Sequence, residues 1–170
     1  MKITSVERNK KNKNRLSVFI DGRFSFTISE DDYLMLNLYE EAELDEEKLD
    51  YIKNTLNFRE AKSLAVKYLS TKLRTEKEVK EKLLNEGYEE SCINNVIEEL
   101  KAIGYINNKL YAQKYVYDRS KLKPMSKKLL KHELMNRGIS EEIVDEVLND
   151  WKVEDTNIAG SLLKRKFGKY

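Results

Sequence analysis

The residues able to do acid–base or nucleophilic chemistry are few and isolated. His132 is the single histidine, set between Lys131 and Glu133 on the polar side of an amphipathic pattern. A general base or a metal ligand needs partner groups within reach, and none is offered nearby, so His132 reads as a surface residue. Cys92 is the single cysteine and opens an apolar stripe with Ile93, Val96, Ile97 and Leu100. That is the position of a core thiol rather than a reactive one. One cysteine makes neither an internal disulfide nor a thiolate metal cluster, which points to a reducing, cytoplasmic setting. No glycine-rich phosphate loop is present. Acidic pairs such as Glu141-Glu142 sit where a helix would begin and complement its dipole. The expectation is a protein without catalytic residues, cofactor or metal, not an enzyme.

What remains for function is charge. The chain has 32 Lys and Arg against 30 Asp and Glu, a net of only +2, but the signs are unevenly spread. Residues 1–55 hold 9 basic and 12 acidic side chains, residues 56–105 hold 9 of each, and residues 106–170 hold 14 and 9. Within 109–137 there are 9 cations (Lys109, Lys114, Arg119, Lys121, Lys123, Lys127, Lys128, Lys131, Arg137) against Asp118 and Glu133. Such a block suits a polyanion or an acidic protein surface; a solvated helix face accounts for the same charges equally well. Lys121, Lys123, Lys127, Lys128 and Lys131 are the first contact candidates, with Arg119 and Arg137 beside them. Lys164, Arg165 and Lys166 form a second group. Tyr111 and Tyr115, one helical turn apart, either pack against a neighbouring unit or turn their hydroxyl edges to a partner. Trp151 closes an apolar stripe and reads as core before it reads as a base-stacking platform.

The elements that must carry these residues follow from periodicity. Leu16, Val18 and Ile20 alternate, and Phe24, Phe26 and Ile28 alternate again after Asp21-Gly22. An Asp-Gly pair between alternating runs predicts a hairpin with a type I′ turn. Ile3 to Arg8 supplies a third strand, with Asn9–Asn14 as a polar loop. Ser29 begins a short helix with Asp32 as its capping partner, and Asp45 caps another that runs to about Leu56, with Leu44 and Leu49 as its hydrophobic staple. From there the period is helical. Phe58, Ala61, Ala65 and Leu69 form one face, Val79, Leu83 and Leu84 a second, and the Cys92 stripe a third. Thr75 with Glu78 reads as a capping box, and Gly87 and Gly104 stand where helix ends need a left-handed residue.

The pattern then repeats. At an offset of 51 residues, Lys77-Val79-Lys80-Leu83-Asn85-Gly87 falls on Lys128-Leu130-Lys131-Leu134-Asn136-Gly138. Glu90, Ile93, Val96 and Ile97 fall on Glu141, Val144, Val147 and Leu148, and Ala61 falls on Ala112. Core positions and a cap glycine in one register indicate an internal repeat. The expected organisation is a β-rich region over 1–55, three-helix repeats over 56–105 and 106–152, and the first helix of an incomplete third repeat over 157–170. Ile158, Leu162, Leu163 and Phe167 are its apolar positions. The fold class is mainly α with a small N-terminal three-stranded region. No apolar run approaches the length of a membrane span, and the start lacks the apolar core of a signal peptide.

These residues resemble the RecX family of recombinase regulators, in the form with an N-terminal β-rich extension. The likeness lies in Ala65-Val66-Lys67-Tyr68-Leu69, Arg74-Thr75-Glu76-Lys77-Glu78-Val79 and Leu83-Leu84-Asn85-Glu86-Gly87. It continues in Val96-Ile97-Glu98-Glu99-Leu100, Gly104-Tyr105-Ile106-Asn107-Asn108, Tyr111-Ala112, Tyr115-Val116, Arg119, Leu129-Leu130, Glu133-Leu134 and Arg137-Gly138-Ile139. The family usually carries three or more units, and often a glycine after the arginine of the second, where Lys121-Leu122-Lys123-Pro124 stands here. The resemblance implies an elongated, curved helical monomer lying in the groove of a RecA–DNA filament. There it would curb filament growth, strand exchange and co-protease activity in DNA repair, recombination and the SOS response. Direct contact with single- or double-stranded DNA would be weak. The competing expectation is an independent helical DNA-binding protein acting without recombinase. Helices over 75–86 and 92–103 have the lengths of a helix-turn-helix, but the second is acidic, which suits DNA poorly.

Overall fold

The computed structural model describes residues 1–122 and 125–151. Three strands, β1 (Ile3–Arg8), β2 (Arg15–Ile20) and β3 (Arg23–Ser29), form one antiparallel sheet in the order β1-β2-β3. The β2–β3 turn has Asp21 at φ 51° and Gly22 at φ 77°, the two positive values a type I′ turn requires. Leu16, Val18, Ile20, Phe26 and Ile28 are buried as alternation predicts. Phe24 is not. Val18 pairs with Phe26 but Phe19 pairs with Phe24, so a bulge adds one residue to β3 and reverses its parity. Phe24 is therefore 50% exposed and meets Phe19 edge to face at 5.9 Å.

Helix α1 (Glu30–Met35) is capped by Ser29, whose hydroxyl accepts from the Asp32 N–H, and α2 (Glu46–Asp50) by Asp45, which accepts from Lys48. The helix expected from Asp45 to Leu56 does not stop there. A π-helical turn over Tyr51–Leu56 carries the chain straight into α3 (Asn57–Thr71). The wider turn shifts the phase of the buried stripe. Ile52 joins the sheet core with Leu44, and Asn57, Ala61 and Ala65 bury the next stripe.

Helices α4 (Glu76–Asn85) and α5 (Glu90–Ala102) follow, then α6 (Asn108–Leu122), α7 (Lys127–Asn136) and a helix α8 over 141–151. The 51-residue register holds at both ends of two helix pairs, α3 with α6 and α4 with α7. It holds again at the caps, where Gly87 and Gly138 have φ of 90° and 87°. The N–H that follows each glycine reaches back into the helix in the same way, Tyr88 to the Leu83 carbonyl at 3.2 Å and Ile139 to the Leu134 carbonyl at 3.2 Å. The two are like three-helix units in tandem, mainly α, behind a small antiparallel sheet.

By compactness the chain divides into Met1–Lys72 with Glu78–Tyr105, and Leu73–Lys77 with the chain from Ile106 onward. In the first unit one sheet face buries Ile3, Val18, Phe26 and Ile28 with Leu38, Leu44 and Ile52. The other face presents Arg15 and Thr27 to the helices. The Arg15 guanidinium is buried and donates to Glu60 at 2.7 Å, Asn57 at 3.0 Å and Thr27 at 3.2 Å, and lies 4.3 Å from the Tyr88 ring centroid. Asn57 donates to the Thr27 carbonyl at 2.6 Å, Thr27 Oγ1 to the Gly87 carbonyl at 2.9 Å, and Asn12 to Glu86 at 3.0 Å. The sheet is thus held by polar groups onto the ends of the first helical unit. Cys92 is buried there, and burial pushes its thiol up to about 11. In the second unit Ala112, Val116, Leu130, Leu134, Ile139, Val144, Val147, Leu148 and Trp151 form the core. Trp151 stands inside it. The expected third-repeat helix over 157–170 lies outside the described residues.

A candidate partner-binding face on the second helical unit

Helix α6 buries only Ala112 and Val116, so most of its surface is polar or aromatic and faces outward. Ser126 caps α7 by accepting from Leu129, and Leu130 and Leu134 turn inward. The residues between those apolar positions are presented on the surface.

Four of the sequence candidates come together across α6 and α7. Tyr111 and Tyr115 stack at 6.2 Å between centroids with an 18° interplanar angle. Arg137 donates to the Tyr111 hydroxyl at 2.8 Å and lies 4.8 Å from the Tyr115 ring centroid. Arg119 lies on the same ring at 5.6 Å and donates to both Glu133 oxygens at 3.1 and 3.3 Å. The Tyr115 hydroxyl donates to Glu133 as well. That hydrogen bond, and then Arg119, hold the Glu133 carboxyl below the usual glutamate range. Tyr115, Arg119, Glu133, Asn136 and Arg137 line a depression of about 280 Å³. The tyrosine rings pack against the core of their own unit, and their hydroxyls are engaged there by Arg137 and Glu133. Glu133, which in the linear charge count only subtracts from the cluster, is the anion that organises it. Its signal in the sequence is its place one helical turn before Arg137 on a face of cations.

The lysines do not act as one patch. Lys131 bridges to Glu141 and Asp145, each at 2.9 Å, and these hydrogen bonds raise its pKa. Lys109 pairs with Glu146 at 2.7 Å. Three acids beyond residue 137 thus offset cations that the window 109–137 counts as net positive. Lys121 sits over the Tyr117 ring at 4.2 Å, both exposed, and Lys127 lies 5.8 Å from the Trp151 ring centroid. Lys128 is exposed. His132 is exposed too, 3.2 Å from the Asn136 amide. Lys123, Lys164, Arg165 and Lys166 lie outside the described residues. Among the described residues no group of three His, Cys, Asp or Glu is placed to hold a metal, and no helix is long and apolar enough to cross a membrane.

Comparison with known proteins places this architecture. Family models match in sequence order: the N-terminal domain of regulatory protein RecX over residues 1–45, its first three-helix domain over 61–100 and its second over 107–148. A "Regulatory protein RecX" of Clostridium beijerinckii is 34% identical over 167 residues, covering 98% of this chain and 78% of that protein. One from Clostridium perfringens strain 13 is 32% identical over 167 residues, with the same coverage of 98% and 78%. A crystal structure of regulatory protein RecX superposes with a TM-score of 0.60 at 26% identity, covering 99% of this chain and 85% of that one. RecX from Lactobacillus salivarius gives 0.55 at 28% identity, over 67% of this chain and 77% of that one. With three successive family domains matched and a third of the residues shared across nearly its whole length, the chain belongs to the RecX family of regulatory proteins.

Proposed function

We propose that the chain binds a RecA recombinase filament on DNA, lies along its groove, and curbs filament growth and strand exchange without catalysing a reaction. The observation that carries this reading is the arginine–tyrosine cluster across α6 and α7, with Arg119 and Arg137 on the Tyr115 ring, in a unit whose Lys121 and Lys128 are also exposed. Tandem three-helix units offer an extended surface of many shallow contacts, which suits a filament better than a point ligand. The membership in a family of regulatory proteins supports the same direction. The binding residues are Tyr111, Tyr115, Arg119, Lys121, Lys127, Lys128 and Arg137.

The test is a titration of the chain against RecA filaments on single-stranded DNA with a non-hydrolysed ATP analogue, beside bare DNA, at two salt concentrations. The variant carries Lys121→Glu, Lys127→Glu and Lys128→Glu. Lys131 is spared because its reversal would break two ion pairs of the unit. The changes at the exposed Lys121 and Lys128 cost less than about 0.5 kcal/mol each, and the half-buried Lys127 is checked by the folding control. Filament affinity should fall about tenfold or more, while circular dichroism stays unchanged. If the lysines meet phosphate, the log–log salt slope should also become shallower by about 0.7 for each phosphate the variant leaves unneutralised. Unaltered filament binding by the folded variant would remove this face from the interface. Equal affinity of the wild type for coated and bare DNA would favour an independent DNA-binding protein.

A further inference from the structure

The loop between β1 and β2, Asn9-Lys10-Lys11-Asn12-Lys13-Asn14, has no part in the reading above. It is held by its own side chains. Asn9 Oδ1 accepts from the backbone N–H groups of Lys11 and Asn12, each at 3.0 Å, and Asn9 Nδ2 donates to Ser17 Oγ at 3.1 Å. Asn12 Oδ1 accepts from the Asn14 N–H at 3.0 Å, and the Arg15 N–H donates to the Asn12 carbonyl at 3.0 Å. Asn12 Nδ2 donates to the Glu86 carboxylate at 3.0 Å, which ties the loop to the chain just past α4. Arg8 Nη1 donates to the Lys13 carbonyl at 3.1 Å. Asparagine side chains that accept from backbone N–H groups two and three residues on fix a loop as a turn does. The loop is thus ordered before any ligand arrives.

What this loop turns to solvent is positive charge. Lys10, Lys11 and Lys13 are exposed, whereas Asn9 and Asn12 are half-buried. None of the three lysines makes an ion pair among the described residues. The two acids that the loop's own hydrogen bonds bring beside it are answered from elsewhere, Glu30 by Arg8 at 2.8 Å and Glu86 by Lys82 at 2.9 Å. Three cations within four residues therefore stand uncompensated in a region, 1–55, that is otherwise acidic. The loop carries no apolar or aromatic side chain. Lysine is depleted from protein–protein interfaces, whose centres need apolar, aromatic or arginine anchors. A phosphate backbone asks for the opposite, point charges and small polar groups on a fixed frame.

We propose that the β1–β2 loop is a site for the phosphate backbone of nucleic acid, with Lys10, Lys11 and Lys13 as the contacting groups and Asn9 and Asn12 as the residues that position them. The site reads no sequence, because ammonium groups on phosphate carry no base information. It needs no recombinase and does not rest on the filament reading. Its affinity is electrostatic. Three lysines on three phosphates give a log–log salt slope of about −2 on a single strand and about −3 on a duplex. The loop backbone is already ordered within the fold, so binding has only the three side chains left to order.

The test titrates the full chain into a fluorescent oligothymidylate, and in a second arm into a short duplex, without recombinase, between about 50 and 200 mM salt. Three proteins are compared, each checked by circular dichroism. They are the wild type, the combined Lys10→Gln, Lys11→Gln and Lys13→Gln variant, and a control that loses the same charge at three other exposed lysines, Lys67→Gln, Lys72→Gln and Lys114→Gln. The loop variant should have a single-strand slope shallower by about 2 and, at the lower salt, an affinity reduced about tenfold or more, while the control stays within about threefold. Lysine acylation of the wild type, read by mass spectrometry, locates the contact: bound oligothymidylate should protect Lys10, Lys11 and Lys13. An equal loss in the control would reduce the effect to net charge and overturn the proposal. So would an unchanged slope in the loop variant, loop lysines acylated as fast with DNA as without, or a wild type that binds neither oligonucleotide at the lower salt. Protection of the same lysines by a polyglutamate peptide and not by DNA would make the loop a protein contact and overturn it too. Because no recombinase is present, failure here leaves the filament reading untouched, and failure of the filament titration leaves this site standing.

Discussion

Replacing Arg15 with Met should cost about 3 kcal/mol and loosen the sheet from the first helical unit. The guanidinium side chain is 3% exposed and bonded to Glu60, Asn57 and Thr27, whereas Glu60 is 35% exposed. Removing one partner of a buried pair costs about 3–5 kcal/mol because the other charge is left uncompensated. Two features place Arg15→Met at the low end. Glu60 regains water, and the buried Arg15 Nε, which has no hydrogen-bond partner, is removed with the charge. Glu60→Gln should cost more, about 4 kcal/mol, since it strands a fully enclosed cation. The double variant should cost about 2 kcal/mol less than the sum of the singles, because neither stranded charge then remains. Urea unfolding followed by circular dichroism measures all three. Amide exchange at Val18 and Phe26 locates the effect in the sheet. A loss below about 1 kcal/mol for Arg15→Met, or strict additivity in the cycle, would refute the claim that this ion pair fastens the sheet.

Three further outcomes are expected. Gly104→Ala should cost about 1 kcal/mol, the left-handed backbone alone, because nothing lies within 4 Å of the added methyl, while Gly87→Ala should cost clearly more since the methyl strikes Asn9; paired urea melts check the difference. Glu133 has its folded pKa lowered by Tyr115 and Arg119, so its stabilisation is present above the unfolded glutamate value of about 4.3 and is lost as pH falls through the lower folded value; Glu133→Gln should flatten that part of the acid limb in pH-dependent melts. Cys92, buried and with a thiol pushed up to about 11, should react with a thiol reagent at about pH 8 only as fast as the first unit opens, so mild urea should accelerate labelling in step with unfolding; immediate labelling of the native chain would contradict its placement.

The secondary structure and the repeat were legible in the sequence because they depend on neighbours a few residues apart. Alternation marked β2 and β3, Asp21-Gly22 supplied the turn, Ser29 and Asp45 capped their helices, and the 51-residue register predicted which glycine would end which helix. Local rules failed where one residue changes the phase. The bulge that turns Phe24 outward and the π-helical turn over Tyr51–Leu56 each insert a residue into a period, and tertiary packing chooses where. The candidate face was legible only as a density of lysines and arginines. Charge along a chain does not say which cation is already paired, because the partner is set by packing. Lys131 is answered by acids 10 and 14 positions on in another helix, Arg119 by Glu133 across a loop, and Arg15 by Glu60 at a separation of 45. Residue types and spacing alone determined two like helical units behind a small sheet, with a basic second unit. Only the tertiary structure decided that Arg15 is enclosed and paired with Glu60 while Lys131 is answered at the surface by Glu141 and Asp145, since an ion pair's worth depends on burial and on who stands opposite, and neither exists until the chain has folded.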